Sequence, residues 1–228
     1  MSASPRRPVI TYYFSFLSLW TYLGSTRLPR LAAAHGARII YKPMDIMKVF
    51  ASSGGVAVSQ RAPQRQAYRL LEMQRWSRIR GLPVVPHPRF YPADPSLAHR
   101  VLLAAIEKHG HDSEAVQRFV QSGSRAVWAE ERDIADPTTV MELAEAVGLE
   151  GRALLEAARG EGEEAGGRWR KQEGTLTQEV IAKRYFGAPV YEYRGEPFWG
   201  QDRLEMLDDV ISNEREPILL PKEIAKTS

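Results

Sequence analysis

The sequence has 228 residues, of which 43% are hydrophobic and 26% are charged, and its net charge is +3. This composition predicts one globular domain with room for a sizeable insertion. The sequence contains no cysteine, which excludes disulfides, thiolate metal sites and a cysteine nucleophile. Any thiol in the chemistry must therefore come from a ligand.

The N-terminal segment has some features of a secretion signal, because two arginines precede the apolar run YYFSFLSLWTYLGS. Polar residues interrupt this region at Thr11, Ser15 and Ser18, and no small-residue cleavage site follows. A membrane-spanning helix needs about 20 mostly apolar residues, and this run is shorter and more polar. We therefore predict a folded segment, no membrane partner and a cytoplasmic location.

The chain begins with a strand, a helix and a second strand. Residues 9–14 are rich in β-branched and aromatic side chains, which predicts a buried strand. Residues 19–34 predict a helix that Pro29 bends or breaks, and residues 38–41 predict the second strand. This order is typical of the βαβ unit of a parallel sheet.

The middle of the chain predicts helices. The stretch SSGGVAVSQRAP is a Gly- and Ser-rich loop, and almost everything from residue 64 to residue 186 has a helical pattern. Residues 97–106 are apolar nearly all round, which predicts a buried helix. Further apolar stripes at helical spacing are Val116, Phe119, Val120 and Val127, and Val140, Leu143, Ala144 and Val147. Asp112 and Asp136 are the expected N-caps.

The arginine-rich stretch RAPQRQAYRLLEMQRWSRIR lies within this helical block. It also carries aliphatic and aromatic residues at helical spacing, which is typical of a solvated helix. The basic residues of the chain are otherwise dispersed, so we predict no nucleic-acid partner.

Strand character returns near the C-terminus. The stretch APVYEYRGEPFW predicts two antiparallel strands around a tight turn, and a last helix follows with the apolar stripe Leu204, Leu207 and Ile211. The order βαβ, helical block and ββα predicts an α/β thioredoxin-like fold with a large all-helical insertion. We predict the thioredoxin-like domain at residues 8–58 and 187–215, the insertion at residues 59–186, and flexible termini at residues 1–7 and 216–228.

Three segments carry candidate chemistry. Ser18 lies where the first helix begins, and a helix N-terminus favours an anion. Pro189 precedes a short strand, as the cis-proline of thioredoxin-like folds does, and this would leave the Ala188 backbone free to pair with an extended ligand. Asp202 begins the last helix, where backbone donors and a carboxylate suit the two charged groups of an amino acid. The structural alternatives are N-caps at Ser18 and Asp202 and an ordinary trans-proline at Pro189.

Together the segments YYFSFLSLWTYLG, QRWSRIRGLPV and FGAPVYEYRGEPFWGQDRLEML resemble the 2-hydroxychromene-2-carboxylate isomerase family. Relatives of that family are the kappa-class glutathione transferases and the DsbA-type oxidoreductases. The resemblance runs from Val9 to Ile211. It implies a glutathione cofactor, an aromatic carboxylate substrate and a homodimer, with a thiolate that adds to the substrate reversibly.

The resemblance also implies the site residues. Ser18 occupies the position of the catalytic serine that contacts the glutathione sulfur, although Leu19 follows it where the family usually has proline. The implied glutathione-binding residues are Ser18, Ala188, Pro189, Gly200, Gln201, Asp202 and Arg203. The implied substrate-binding residues are Lys48, Gln60, Arg61 and Phe90.

Two other functions stay open. One is a kappa-like glutathione transferase, in which the glutathione adduct leaves as the product; Arg61 in the acid-binding loop favours the isomerase. The other is a non-catalytic thioredoxin-like binding module. A DsbA-type redox enzyme is excluded because the sequence has no cysteine. His109 and His111 lack the carboxylate pattern of a metal site, so we predict no metal.

Overall fold

A four-stranded sheet and ten α-helices make up the part of the chain that the computed structural model describes, residues 7–160 and 165–221. The strands are β1 (Val9–Phe14), β2 (Arg38–Pro43), β3 (Val190–Tyr193) and β4 (Glu196–Trp199). Their order in the sheet is β2-β1-β3-β4. β1 pairs with β2 in parallel and with β3 in antiparallel fashion, and β3 and β4 form an antiparallel hairpin. These pairings confirm the predicted strands and their directions.

The helices lie before, between and after the strands. They are α1 (Leu19–Gly24), α2 (Arg27–Ala34), α3 (Ile46–Ser53), α4 (Pro63–Arg80), α5 (Ser96–His109), α6 (Glu114–Trp128), α7 (Pro137–Glu145), α8 (Gly151–Arg159), α9 (Ala165–Ala182) and α10 (Leu204–Ser212). Short 3-10 turns cover Val58–Gln60 and Gln201–Arg203. Helices α4 to α9 lie within the predicted insertion, whose independence as a domain stays a prediction.

Two predicted boundaries in this region are wrong. The predicted Gly- and Ser-rich loop begins inside α3, which Asp45 caps by accepting hydrogen bonds from the first turn. Residues 81–95 were expected to be helical, but they form an irregular segment between α4 and α5. This segment contains five prolines, which remove backbone donors and disfavour helical backbone at the residues before them.

The first predicted helix is in fact two helices, α1 and α2. The break lies at Ser25 and Thr26, so the expectation of a break at Pro29 is wrong. Pro29 is the third residue of α2, where the missing N–H removes no intrahelical bond. Gly24 at the end of α1 allows a close approach, because a Cβ there would lie 2.6 Å from Tyr191 Oη. Helix α1 therefore lies directly against the Tyr191 side chain of β3.

Apolar burial follows the predicted pattern. The Tyr12 ring on β1 stacks on the Tyr191 ring of β3 with centroids 5.1 Å apart. The predicted stripes of α6, α7 and α10 are buried, whereas Val147 lies beyond the end of α7 and is half-buried. Val101 and Leu102 of α5 are fully buried, which confirms the prediction of a helix surrounded by core.

The two predicted N-caps have different outcomes. Asp136 caps α7 and accepts a hydrogen bond of 2.9 Å from a backbone N–H of the first turn, as predicted. Asp112 does not cap α6, because the next residue, Ser113, has that role. Serine is as good a cap as aspartate, and the Asp112 carboxylate instead pairs with Arg7 at 3.3 Å and Arg38 at 3.1 Å.

A polar network joins α9 to the sheet. Glu179 accepts a hydrogen bond from Tyr13 Oη at 2.6 Å and pairs with Lys42 Nζ at 2.7 Å. Burial by itself would raise the pKa of Glu179, but the hydrogen bonds from Lys42 and Tyr13 outweigh burial and hold this pKa below its usual range. Lys183, the residue immediately after α9, also pairs with Glu192 of β3 at 2.9 Å. These contacts fix the last helix of the insertion against the strands.

The outer parts of the predicted flexible termini, residues 1–6 and 222–228, lie outside the described residues. Their inner ends contact the rest of the chain. Arg7 Nε donates to the Gly36 carbonyl at 2.9 Å, and Ile218 N–H donates to the Glu196 carboxylate at 3.1 Å. Across residues 7–160 and 165–221, no helix combines the length and the apolar character needed to cross a bilayer.

Candidate active site

Ser18 lies at the junction of β1 and α1. Its backbone is extended, and its Oγ accepts a hydrogen bond from Thr21 N–H at 3.2 Å, which makes it the N-cap of α1. The same Oγ donates to the Ala188 carbonyl oxygen at 2.9 Å. The cap therefore also joins the first candidate segment to the second.

A buried pair supports the loop that leads to Ser18. Phe16 N–H donates to His99 Nε2 at 3.5 Å, and His99 Nδ1 lies 2.6 Å from the Glu173 carboxylate. Because Nε2 accepts, we assign the proton to Nδ1, which then donates to Glu173. His99 is fully buried and its ring stacks on Phe16 at 5.3 Å. No local sequence pattern predicts this contact, since His99 is 83 residues from Phe16.

The Ala188–Pro189 peptide bond is cis, as predicted. Gly200 N–H donates to the Pro189 carbonyl at 2.9 Å, at the end of the β3–β4 hairpin. Ala188 comes immediately before this paired region, and its carbonyl oxygen accepts from Ser18. The backbone of Ala188 therefore lies beside the serine.

The third candidate segment turns sharply after β4. Gly200 has a φ of +103°, and a Cβ at this position would collide with the Asp202 carboxylate, so the turn requires glycine. Asp202 pairs with Arg203 at 2.7 Å. The alternative that Asp202 is the N-cap of the last helix is wrong, because Arg203 has that position in α10. The Asp202 carboxylate is left beside the turn, partly exposed.

Arg80 at the end of α4 holds this turn in place. Its Nε donates to Gln201 Oε1 at 2.7 Å, and its Nη2 donates to the Gln201 carbonyl at 3.2 Å. Its guanidinium lies over the Trp76 ring, 4.9 Å from the centroid. Gln201 is 1% exposed, so the contact between α4 and the turn is buried. No sequence motif predicts this role of Arg80.

A cleft of about 500 Å³ opens between this turn and α4. Its size suits a ligand as large as a small peptide. The side chains and backbone that line it belong to Trp20, Arg61, Gln64, Arg65, Tyr68, Arg69, Glu72, Trp76, Ala188, Trp199, Gly200, Gln201, Asp202 and Arg203. Five of the predicted glutathione-binding residues are in this set, and Ser18 and Pro189 adjoin it through Ala188.

The four predicted substrate-binding residues do not all lie at the cleft. Arg61 lines it. Lys48 on α3 is exposed and pairs with Asp45 at 3.1 Å. Gln60 ends the 3-10 turn before α4, and Phe90 lies in the irregular segment with 37% of its surface exposed. Among the described residues that line the cleft, Lys48, Gln60 and Phe90 do not occur.

The α4 side of the cleft carries excess positive charge. Glu72 on this side is hydrogen-bonded to Arg75 at 2.7 Å, and Asp202 on the opposite side is paired with Arg203. Three further arginines line the α4 side and form no ion pair with any described residue: Arg61, Arg65 and Arg69. The cleft therefore attracts anionic ligands.

The chain is similar to known proteins over most of its length. The sequence model of the DSBA-like thioredoxin domain family matches residues 9–212. A curated relative named 2-hydroxychromene-2-carboxylate isomerase, from Sphingobium xenophagum, is 30% identical over 207 residues, which cover 89% of this chain and 97% of the relative. The chain belongs to the DsbA-like 2-hydroxychromene-2-carboxylate isomerase family. The name of this relative supports isomerase activity.

Solved structures agree with the fold of this family. A structure of a 2-hydroxychromene-2-carboxylate isomerase is 28% identical and superposes with a TM-score of 0.68, covering 90% of this chain and 95% of that one. The cytosolic disulfide reductase DsbM from Pseudomonas aeruginosa, solved with GSH, is 18% identical with a TM-score of 0.63, covering 90% of this chain and 96% of that one. Both confirm the predicted thioredoxin-like fold.

The sequence pattern did not predict that α4 lines the cleft. We interpreted α4 as a solvated helix, and Met73 is its one fully buried residue among those described. One face nevertheless lines the cleft with residues four apart: Gln64, Tyr68, Glu72 and Trp76. Residues at this spacing share a helix face, so the stripe was visible. Its position opposite the Gly200 turn was not.

The two histidines of the HGH segment have structural contacts. His109 Nε2 lies 2.8 Å from the Glu150 carboxylate, and His111 Nδ1 accepts from Tyr41 N–H at 3.1 Å. Burial lowers the pKa of His111, and the nearby Arg38 charge lowers it further. Throughout the described ranges, no group of three or more His, Asp and Glu residues is arranged to hold a metal ion.

Proposed function

We propose that the protein is a glutathione-dependent isomerase of 2-hydroxychromene-2-carboxylate or a similar aromatic 2-oxo-alkenoate. The observation that carries this proposal is the hydrogen bond of 2.9 Å between Ser18 Oγ and the Ala188 carbonyl. It joins a helix N-cap hydroxyl to a backbone edge at the wall of a cleft. The names of the relatives support the isomerisation, and the finer proposal is the use of glutathione.

Glutathione is an extended peptide, and one wall of the cleft has groups in the corresponding order. The Ala188 backbone would pair with the cysteinyl residue. The N–H groups of the Gly200 turn would hold the γ-glutamyl carboxylate, and the Asp202 carboxylate would accept from its ammonium group. In this pose the cysteinyl sulfur would lie next to Ser18 Oγ.

The interactions proposed at Ser18 are strong enough to lower the pKa of the glutathione thiol by about two units. A free thiol has a pKa of about 8.5, and lowering it by about two units needs about 2.7 kcal/mol. A hydrogen bond to a charged acceptor contributes about 1.5–3 kcal/mol. The N–H groups at the start of α1 add about 0.3–1 kcal/mol, at the lower end because α1 has six residues. The Ser18 hydroxyl would turn from Ala188 to the thiolate.

The proposed reaction is reversible covalent catalysis. In the chromene, the hemiketal C–O bond of the ring first breaks and the hydroxyl proton passes to the phenolate oxygen, which gives the 2-oxo-alkenoate. The thiolate then forms a C–S bond to the conjugated carbon of this form, and the displaced electron pair moves onto the 2-oxo oxygen. The former double bond then rotates as a single bond. The electron pair returns, the double bond re-forms, and the C–S bond breaks to release the thiolate. Arg61 would stabilise the substrate carboxylate and the developing negative charge, and glutathione is not consumed.

Several parts of the proposal come from the resemblance alone. Lys48, Gln60 and Phe90 stay predicted substrate contacts. The cytoplasmic location and the homodimer also stay predictions.

Calorimetry with reduced glutathione tests the cofactor. We expect the wild type to bind glutathione and Asp202→Ala to bind it about 10-fold more weakly, because a charge-assisted hydrogen bond contributes about 1.5–3 kcal/mol. Asp209→Ala is the matched control, since Asp209 lies on α10 and pairs with Arg215 away from the cleft. Absence of binding by the wild type would refute the use of glutathione.

Turnover measurements test the reaction type. With a chromene carboxylate as the substrate, an isomerase leaves the total concentration of glutathione unchanged. A kappa-like transferase would consume one glutathione for each product molecule. Stoichiometric loss of glutathione would therefore replace the isomerase proposal with the transferase.

A further inference from the structure

Arg69 is a half-buried positive charge in the wall of the cleft. Its Nη1 lies 3.2 Å from Sδ of the buried Met73, and its guanidinium lies over the buried Trp128 ring, 5.4 Å from the centroid. It forms no ion pair with any residue of the described ranges. Burial lowers the pKa of Arg69, and the positive charge of Arg61 acts in the same direction. A charge that is partly removed from water costs free energy, and binding of a counter-ion would offset this cost.

Arg61 places a second guanidinium in the same wall, and it lies just before the start of α4. Its Nε donates to the Val56 carbonyl at 2.9 Å, and its guanidinium lies 5.9 Å from the centroid of the Phe50 ring. These contacts orient Arg61 without neutralising it. Two like charges that face one cleft repel each other unless an anion lies between them.

The surroundings of Arg69 are aromatic. The Trp128 ring beneath it packs against Tyr91, with ring centroids 4.8 Å apart. Tyr68 and Trp76 line the cleft on the same helix as Arg69. Aromatic rings beside unpaired guanidinium groups suit an aromatic ligand that carries a carboxylate, because a guanidinium can donate two parallel hydrogen bonds to it.

We propose that Arg69 is a second carboxylate-binding residue beside Arg61, and that it makes the protein select anionic aromatic substrates over neutral ones. This inference rests on the proposed function, because it names the residue that recognises the acidic group of the substrate. Glutathione also ends in a carboxylate, at its glycyl residue. The experiment must therefore separate the two sources of carboxylate.

The test compares an aromatic acid with its neutral amide in the absence of glutathione. 3-Phenylpropanoate and 3-phenylpropanamide are titrated by calorimetry into the wild type, Arg69→Met, Arg69→Lys and Arg78→Met. We expect the wild type to prefer the acid by about 10-fold or more, Arg69→Met to lose the preference, and Arg69→Lys to keep part of it. Arg78→Met is the matched control, because Arg78 is an exposed arginine of α4 outside the cleft lining.

The second arm compares glutathione with γ-glutamylcysteine, which lacks the glycyl residue. If Arg69→Met weakens the binding of glutathione but not of γ-glutamylcysteine, Arg69 binds the glycyl carboxylate and the substrate assignment is overturned. An unchanged acid preference in Arg69→Met, or no binding of either aromatic probe by the wild type, also overturns it. Failure of the wild type to bind glutathione refutes the cofactor proposal and leaves the acid preference to be decided by the first arm.

Discussion

The two walls of the cleft are built from different parts of the protein chain. The first wall includes Ala188 and the turn at Gly200, and the β3–β4 hairpin holds their backbone groups in place. The second wall consists of side chains on α4, an otherwise exposed helix. The positions of these backbone groups depend on the fold, which the chain shares with DsbM at 18% identity. A side-chain wall depends on individual residues, so we expect it to determine the choice of substrate.

Loss of the Ser18 hydroxyl should have the largest effect on the first wall. In Ser18→Ala, we expect the pKa of bound glutathione to rise by about 1–2 units and kcat/KM at neutral pH to fall about 10- to 100-fold, because one hydrogen bond to the thiolate is lost. Ser18→Thr keeps a hydroxyl and serves as the control. The pH–rate profile measures both quantities, and an unaltered profile in Ser18→Ala would refute the assigned role.

The Gly200 turn should be nearly as sensitive. In Gly200→Ala, we expect glutathione affinity to fall about 10-fold, because the new Cβ both strains the backbone by about 1–3 kcal/mol and displaces Asp202. Gly110→Ala is a matched control, since Gly110 also has a positive φ (+79°) but has no atom within 4 Å of an added Cβ. Calorimetry and thermal unfolding separate the two costs. Equal glutathione affinities in the two variants would contradict the prediction.

Arg80 lies on α4, in the second wall, but its hydrogen bonds hold the Gly200 turn of the first wall. We therefore expect the loss of Arg80 to weaken ligand binding at the first wall. In Arg80→Met, we expect glutathione affinity to fall about fivefold, or about 1 kcal/mol, because the lost hydrogen bonds to Gln201 position the turn and act on the cofactor only through it. The preference for aromatic acids over amides should not change. Arg78→Met again provides the control. A variant that loses the acid preference but keeps its glutathione affinity would contradict this arrangement.

Glu179, which joins α9 to the sheet, should affect the stability of the protein and not ligand binding at either wall of the cleft. The folded pKa of Glu179 lies below the unfolded value of about 4.3, so its stabilising effect is present above that pH and is lost as pH falls through the folded pKa. We expect Glu179→Gln to lower the Tm by about 2–4 °C at neutral pH, and the difference to vanish in acid.

Glu114→Gln is the control for this comparison, since Glu114 pairs with Arg118 in an exposed i, i+4 pair. Such surface pairs contribute little, so its Tm should stay close to that of the wild type. A Tm difference for Glu179→Gln that is constant from neutral to acidic pH would refute the role of its ionisation.

Several local predictions were wrong at the ends of helices. Ser113 replaced Asp112 as the cap of α6, and the chain broke at Ser25 rather than at Pro29. In the first case two adjacent residues are both good caps, and packing selects between them. In the second case Pro29 lies in the first turn of α2, where a proline removes no intrahelical hydrogen bond. Segment 81–95 is irregular although helical patterns lie on both sides of it, because its five prolines disfavour helical backbone.

The sequence by itself determined the strands, the buried helix α5, the β3–β4 hairpin and the segments that hold Ser18, Pro189 and Gly200. These features rest on apolar periodicity, turn residues and short motifs, which act over a few residues along the chain. The family followed from the same motifs, and the relatives confirmed it.

The tertiary structure alone decided which side chains meet across the cleft. The contact of Arg80 with Gln201 spans 121 residues, and that of Arg69 with Trp128 joins two helices of the insertion. Helical spacing determines which residues share a face, but the packing of the helices on the sheet determines what that face opposes. For this reason α4, which the sequence predicted as a solvated helix, forms one wall of the candidate active site.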